Sequence, residues 1–225
     1  MRLSHARAEM DISGHAARSG ETRARMLEAA IEVFGSVGYA AASTRILAER
    51  AGASLTAISY HFGGKRDLYL AAAQVIADFG RERMAPVIAH LQDESRGTPA
   101  ARIEEALSRF FHLIVATEPD AWAAFFIRCE LEADEAFRII SDGVLTGFEQ
   151  ALTQTVAALI GCDGTDEMLR ARITFVLSAI IGIRTLRNMT LNRLGWDRLD
   201  PRRLEQLDRI VRQLARSEFL FGPTA

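Results

Sequence analysis

The chain predicts an all-α fold of about nine helices: a small N-terminal head of three helices built on a helix-turn-helix, then a larger helical body. Three observations point there. Apolar residues recur at helical spacing along the chain, and no window alternates as a strand does. Residues 48–68, AERAGASLTAISYHFGGKRDL, read as a short helix, a tight turn, a second short helix and a loop opening a third. The last third carries helices with apolar residues on more than one face, as helices buried on both sides require.

The elements follow in order. Residues 1–20 are polar without a sustained period and read as a disordered arm, in which Arg7 and Arg18 could also reach DNA. Leu27, Ala30, Ile31 and Phe34 follow i, i+3, i+4, i+7 and mark the first helix, ended by Gly35 and Gly38. Ser43 or Thr44 caps the second helix, whose apolar side is Leu47, Ala48 and Ala51. The third runs from about Leu55 to His61 and is broken by Gly63 and Gly64; Ile58 and Phe62, four apart, lock it to a core. Its other face shows Thr56, Ser59, Tyr60 and His61, with no acid among them, as a helix lying against phosphates in a major groove needs. Lys65 opens a long fourth helix through about Leu91, with Pro86 expected to kink it. A polar loop spans Asp93 to Pro99, and further helices are expected at about 100–117, 119–131, 134–160, 166–192 and 201–220. Asn188 to Asp200 is the expected site of irregular structure.

Composition bounds the function. Of 225 residues, 49% are hydrophobic and 25% charged, which is ordinary for a globular protein. No apolar run reaches the ~18–20 residues of a membrane span, and the N-terminus lacks the apolar stretch of a signal peptide. The expectation is a cytoplasmic protein without a membrane partner. The two cysteines, Cys129 and Cys162, sit in no metal-binding spacing, so no metal and no cofactor are expected. Residues 1–66 carry nine Arg/Lys and six Asp/Glu, a balance of +3 against −5 over residues 67–225. A basic head on an acidic body suits contact with DNA at one end.

The run from Thr22 to Leu70 resembles the DNA-binding domain of the TetR family of transcriptional regulators. The residues that carry the resemblance are ARMLEAAIEVFGSVGY, STRILAERAGAS and ISYHFGGKRDLY, in that order and spacing. The longer match LTAISYHFGGKRDLYLAAA, with RLGW at 193–196 and EFLFG at 218–222, resembles the CerR/CecR-like branch. The resemblance implies a disordered arm over 1–20, a DNA-binding domain over 21–66 and an effector-binding and dimerisation body over 67–225. It implies that Arg45, Leu55, Thr56 and Ser59 read bases, and that Thr44, Tyr60, His61 and Lys65 hold phosphates, with Ser43, Ser54 and Ala57 beside them. Arg45 can present a two-pronged donor to guanine, Leu55 can only pack, and Ala57 offers only its backbone N–H. Tyr60 and His61 could instead pack the head. Many relatives carry a hydroxyl at position 57 and a tyrosine at 59; Ala57 and Ser59 here predict a different operator.

In the body, Trp122, Phe125, Phe126 and Arg128 form either a pocket for an aromatic or anionic effector or an aromatic core with a surface arginine. His112, Phe148 and Arg184 are further candidates. Phe175, Val176, Ile180, Ile181 and Ile183, with Leu204, Leu207, Ile210, Val211 and Leu214, imply that the last two helices pair with a second copy. A dimer matches a palindromic double-stranded operator. The expected function is a sequence-specific, ligand-responsive homodimeric repressor. The alternative is a helical protein-interaction module that has lost DNA recognition. No nucleophile motif, phosphate loop or acid–base pair supports an enzyme.

Overall fold

The computed structural model describes residues 2–117, 120–132 and 134–222, with the side chains of residues 2–18 and of Thr117 outside that set. Every regular element among the described residues is helical. In chain order these are α1 (Arg2–Ala41), α2 (Thr44–Ala51), α3 (Leu55–Phe62), α4 (Lys65–Gln92), α5 (Pro99–His112), α6 (Asp120–Glu132), α7 (Glu135–Ser141), α8 (Gly147–Ile160), α9 (Glu167–Thr185), α10 (Arg187–Leu194), α11 (Pro201–Ala215) and α12 (Glu218–Phe221). A 3₁₀ turn spans Glu94–Arg96, and wider π-type turns span Leu113–Thr117 and Asp142–Thr146.

Several expected boundaries move, each for a local reason. Helical backbone begins at Arg2, because residues 2–20 hold good helix formers and no proline. Arg7 and Arg18 have side chains outside the described residues. Gly35 stays helical, and the break falls at Gly38, whose φ of 80° suits a residue without a Cβ. The helix expected over 134–160 is divided by the π turn, and the one expected over 166–192 is broken at Leu186 (φ −103°, ψ 30°). The segment expected to be irregular from Asn188 is helical as far as Leu194. α4 continues through Pro86.

Packing divides the chain into two units: Met1–Ile76 with Ala124–Ile139, and Ala77–Ala123 with Ile140–Ala225. The division falls inside α4, α6 and α7. The physical reason lies in the first unit's core. Met26, Ala30 and Phe34 of α1, Leu47 and Ala51 of α2, and Ile58 of α3 are buried there, as are Leu68 and Tyr69 of α4 and Phe125 and Cys129 of α6. Phe34 meets Tyr69 edge-on at 4.9 Å between ring centres, and Tyr69 lies 5.2 Å from Phe125. The Tyr69 hydroxyl donates to Asp134 at 2.7 Å and lies 3.2 Å from the Cys129 sulfur. Burial, aided by these two partners, raises the Tyr69 pKa. Burial likewise pushes the Cys129 thiol up to about 12, so it behaves as a small apolar group.

The second unit is built around α5, α8, α9 and α11. Phe110 stacks on Phe148 at 5.0 Å, and Phe111, Leu152, Ile173, Val176, Ile180, Leu207 and Val211 close the core. α4 and the π turn approach closely. A Cβ added to Gly143 would lie 2.6 Å from the Ala77 Cβ and 3.0 Å from its Cα, and one added to Gly80 would overlap Val144.

A polar seam joins α5 to α11. Arg212 donates to Asp208 at 2.9 Å, to Glu105 at 3.0 Å and to Ser108 at 2.7 Å, and Ser108 donates to Asp208. Glu104 takes Arg216 at 2.7 Å and Arg212 at 3.4 Å. Burial raises Asp208 and Glu105, but the donors outweigh it and leave both carboxyls below their ordinary range; Glu104 is lowered chiefly by Arg216. A carboxyl depressed in the folded state stabilises above its unfolded pKa and loses that contribution as pH falls through the folded value. Thermal melting from pH 6 down to pH 3 is therefore expected to show stability falling below about pH 4. Arg212→Met is expected to lower stability by about 2 kcal/mol at pH 6 and to flatten this acid dependence. An unchanged slope in that variant would remove the seam as its cause.

Candidate nucleic-acid interface

The helix-turn-helix is set by caps. The Ser43 hydroxyl accepts from the Ile46 N–H at 3.2 Å and starts α2, fixing the direction in which Thr44 and Arg45 leave the surface. Gly52, with φ 60°, returns its N–H to the Ala48 and Glu49 carbonyls, and Ala53 N–H bonds Ala48 at 2.9 Å. Ser54 precedes α3 without a side-chain cap bond; its hydroxyl pairs with that of Thr56 at 3.0 Å. Arg50 donates to Glu32 at 2.7 Å and ties α2 to α1.

Leu47, Ala48 and Ala51 of α2 and Ile58 of α3 face inward, which leaves the other faces open. Thr44, Arg45, Thr56 and Ser59 are exposed, Leu55 is 55% exposed and Tyr60 is 75% exposed. Leu55 and Tyr60 thus stand open beside Thr56 and Ser59 on the same short helix, available to a partner. No acidic side chain stands on α3.

Three expected details change. Ala57 is half-buried, and its N–H bonds the Ser54 carbonyl at 3.0 Å, so the one donor assigned to it is already used. Phe62 is half-buried instead of core, its ring covered by the Arg23 guanidinium at 5.0 Å. His61 is half-buried between Tyr60, edge-on at 4.9 Å, and Phe62 at 6.4 Å. Lys65, the first residue of α4, holds its ammonium 4.4 Å over the Tyr39 ring. That contact places a charge beside the free N–H groups of the α4 N-terminus, where the helix dipole also favours phosphate. Tyr39 and Arg23 escaped the sequence reading because ring–cation pairs 26 and 39 residues apart leave no periodic signal.

The candidate body residues have different neighbours among the described residues. Phe125 is fully buried against Phe34 and Tyr69 in the first unit. Phe126 meets Phe137 at 5.8 Å, and Arg128 is exposed and donates to the Ser36 carbonyl at 3.1 Å. Trp122 belongs to the second unit, edge-on to Phe79 at 4.7 Å. Trp122, Phe125 and Phe126, at i, i+3 and i+4, share one side of α6 and Arg128 leaves from another; their surroundings differ because the chain passes from one unit to the other between Ala123 and Ala124. Phe148 is core. His112 is exposed, 3.6 Å from Asp208. Arg184 lines a cavity of about 300 Å³ with Asp120 and Arg187. Two further cavities of the second unit, about 490 and 420 Å³, are lined mainly by α8 with the 163–170 and 92–102 segments. No group of three or more His, Cys, Asp or Glu among the described residues is placed to hold a metal.

A capped helix-turn-helix with an open, acid-free second helix, followed by a helical body, defines a DNA-binding transcriptional regulator. The model for bacterial regulatory proteins of the tetR family matches residues 26–72, and that for the C-terminal domain of the HTH-type transcriptional dual regulator CecR matches residues 99–220. The chain belongs to the TetR family and carries the CecR-type C-terminal domain. It is 30% identical over 211 residues to the HTH-type transcriptional dual regulator CecR of Shigella flexneri, covering 90% of this chain and 91% of that one. Its fold matches that of the transcriptional regulator FadR from Bacillus subtilis, solved in complex with stearoyl-CoA. The TM-score is 0.60 at 21% identity, over 86% of this chain and 97% of that one. The fatty acid degradation regulator FadR from Bacillus halodurans gives 0.58 at 16% identity, over 88% and 98%.

Proposed function

We propose that the protein works as a cytoplasmic homodimeric repressor that holds a palindromic operator and releases it when a small molecule occupies the body. The observation that carries the DNA reading is the open face of Leu55, Thr56, Ser59 and Tyr60 beside Arg45. Arg45 supplies the charged base contact, Leu55 packs on a thymine methyl, and Thr44, Tyr60 and Lys65 grip phosphate. Dimerisation through α9 and α11 is supported by exposed Phe175 (61%) and Ile210 (58%), with Leu186 and Met189 open nearby. Exposed apolar side chains on these two helices suit contact with a second copy. The small-molecule response draws support from the Bacillus subtilis neighbour, solved with stearoyl-CoA. The protein acts by binding and carries out no turnover.

The test is a gel-shift titration of the protein on its own upstream region at low and moderate salt. Retardation that weakens steeply with salt is expected, and Lys65→Ala is expected to reduce the salt slope by about one phosphate contact. Absence of retardation at low salt would favour a protein-interaction module instead.

A further inference from the structure

We propose that the groove over Arg102 is a binding site for the oxyanion of a small organic molecule, a carboxylate or a phosphate ester. The site rests on the ligand-responsive reading above and adds the ligand class. Arg102 stands in the first turn of α5 and is only 7% exposed. Its Nη1 donates to the Leu91 carbonyl, in the last turn of α4, at 2.7 Å. That is its one hydrogen bond among the described residues, and its Nε is enclosed without a partner. Glu94 borders the same groove, but it is exposed and forms no ion pair with Arg102.

A guanidinium is a permanent cation, and arginine is almost never buried unless it is paired. The Leu91 carbonyl satisfies one N–H but brings no counter-charge, and a charged donor left unmet in the interior is costly. The unused side of the group decides the ligand. Nε and Nη2 form the edge that carboxylates and phosphates grip with two oxygens. Leu91 holds the opposite prong, Nη1, and leaves this edge unused. Nη2 makes no hydrogen bond among the described residues and is not sealed as Nε is. The groove it meets has a volume of about 420 Å³, with the Gln92 and Gln154 amides and the apolar Pro99, Ala158 and Leu159 along it. Those apolar groups suit the organic part of the ligand. Gln92 and Leu159 are exposed, so a rotamer change in either opens the way from Nη2 to Nε at little cost. Pro99 is the first residue of α5, and the positive end of that helix dipole adds to the attraction for an anion. Every one of these residues belongs to the second unit.

The experiment measures binding of benzoate and phenyl phosphate to the full-length protein without DNA, by calorimetry in chloride-free buffer. Benzamide is the uncharged control, and inorganic phosphate tests whether any anion suffices. Saturable binding of at least one organic anion, at least tenfold tighter than benzamide, is expected, and the tighter of the two names the source of the oxyanion. Arg102→Met is expected to abolish binding. Should that variant fail to fold, a pair at the exposed Ala158 carries the test. Ala158→Glu sets a carboxylate in the groove and is expected to weaken binding at least tenfold more than Ala158→Gln, which has the same size without the charge. No saturable binding of either organic anion, equal binding of benzamide, unchanged binding in folded Arg102→Met, or equal effects of the two Ala158 variants each overturns the site. Tighter binding of inorganic phosphate than of both organic anions does so too. Gel shifts with the same ligands are read separately: binding without release of DNA keeps the oxyanion site and removes its regulatory role.

Discussion

Replacing Phe125 by alanine is expected to cost about 3–5 kcal/mol, enough to unfold much of the protein at 37 °C. The ring has no exposed surface and packs 5.2 Å from Tyr69 and 6.3 Å from Phe34. Tyr69 in turn bonds Asp134 and touches Cys129, so the void opens beside a polar pair that depends on being dry. Urea denaturation monitored by circular dichroism measures the loss. The same experiment separates the two readings of the Trp122–Arg128 segment. A wall of an open pocket tolerates truncation, and a cost below about 1 kcal/mol would return Phe125 to that role.

The second large effect falls on DNA. Arg45→Ala is expected to weaken operator binding by about 1–3 kcal/mol, roughly five- to 150-fold, through loss of a two-pronged contact to a guanine. Arg45 is exposed and makes no contribution to the core, so the melting temperature is expected to stay unchanged. The operator preference is the decisive readout. A base contact relaxes specificity at one position of each half-site, whereas a phosphate contact lowers affinity for all sequences alike. Uniform weakening across operator variants would reassign Arg45 to the backbone and leave sequence reading to Leu55, Thr56, Ser59 and DNA shape.

Much of the head was legible because its logic is local. Ser43, Gly52, Ile58 and Gly63 act within four residues of themselves, so caps, turn and inward face can be read from spacing. The body was legible as helices but not as a site. Arg184 finds Asp120 across 64 positions and Tyr69 finds Asp134 across 65, distances at which no periodicity survives. The segment Trp122–Arg128 left pocket and core open for a different reason: Trp122, Phe125 and Phe126 share a helix face, but Phe125 packs on Phe34 and Tyr69 and Trp122 on Phe79, partners that spacing along α6 does not reveal. Ala57 shows the finest limit, since its residue type reveals an available N–H but not that the Ser54 carbonyl already occupies it.

Gly143 and Gly80 carry a consequence for motion. With Gly143 seated on Ala77 and Gly80 under Val144, α4 and the Asp142–Thr146 turn interlock like gear teeth cut for a single position. Turning α4 by one residue, about 100°, would bring Asp78 to the place where Ala77 meets Gly143, and Arg81 to the place where Gly80 leaves no room for a methyl group under Val144. From Ala77 to Gly80 the helix therefore travels only together with that turn, as one rigid lever. Any bend in α4 is therefore expected outside Ala77–Gly80.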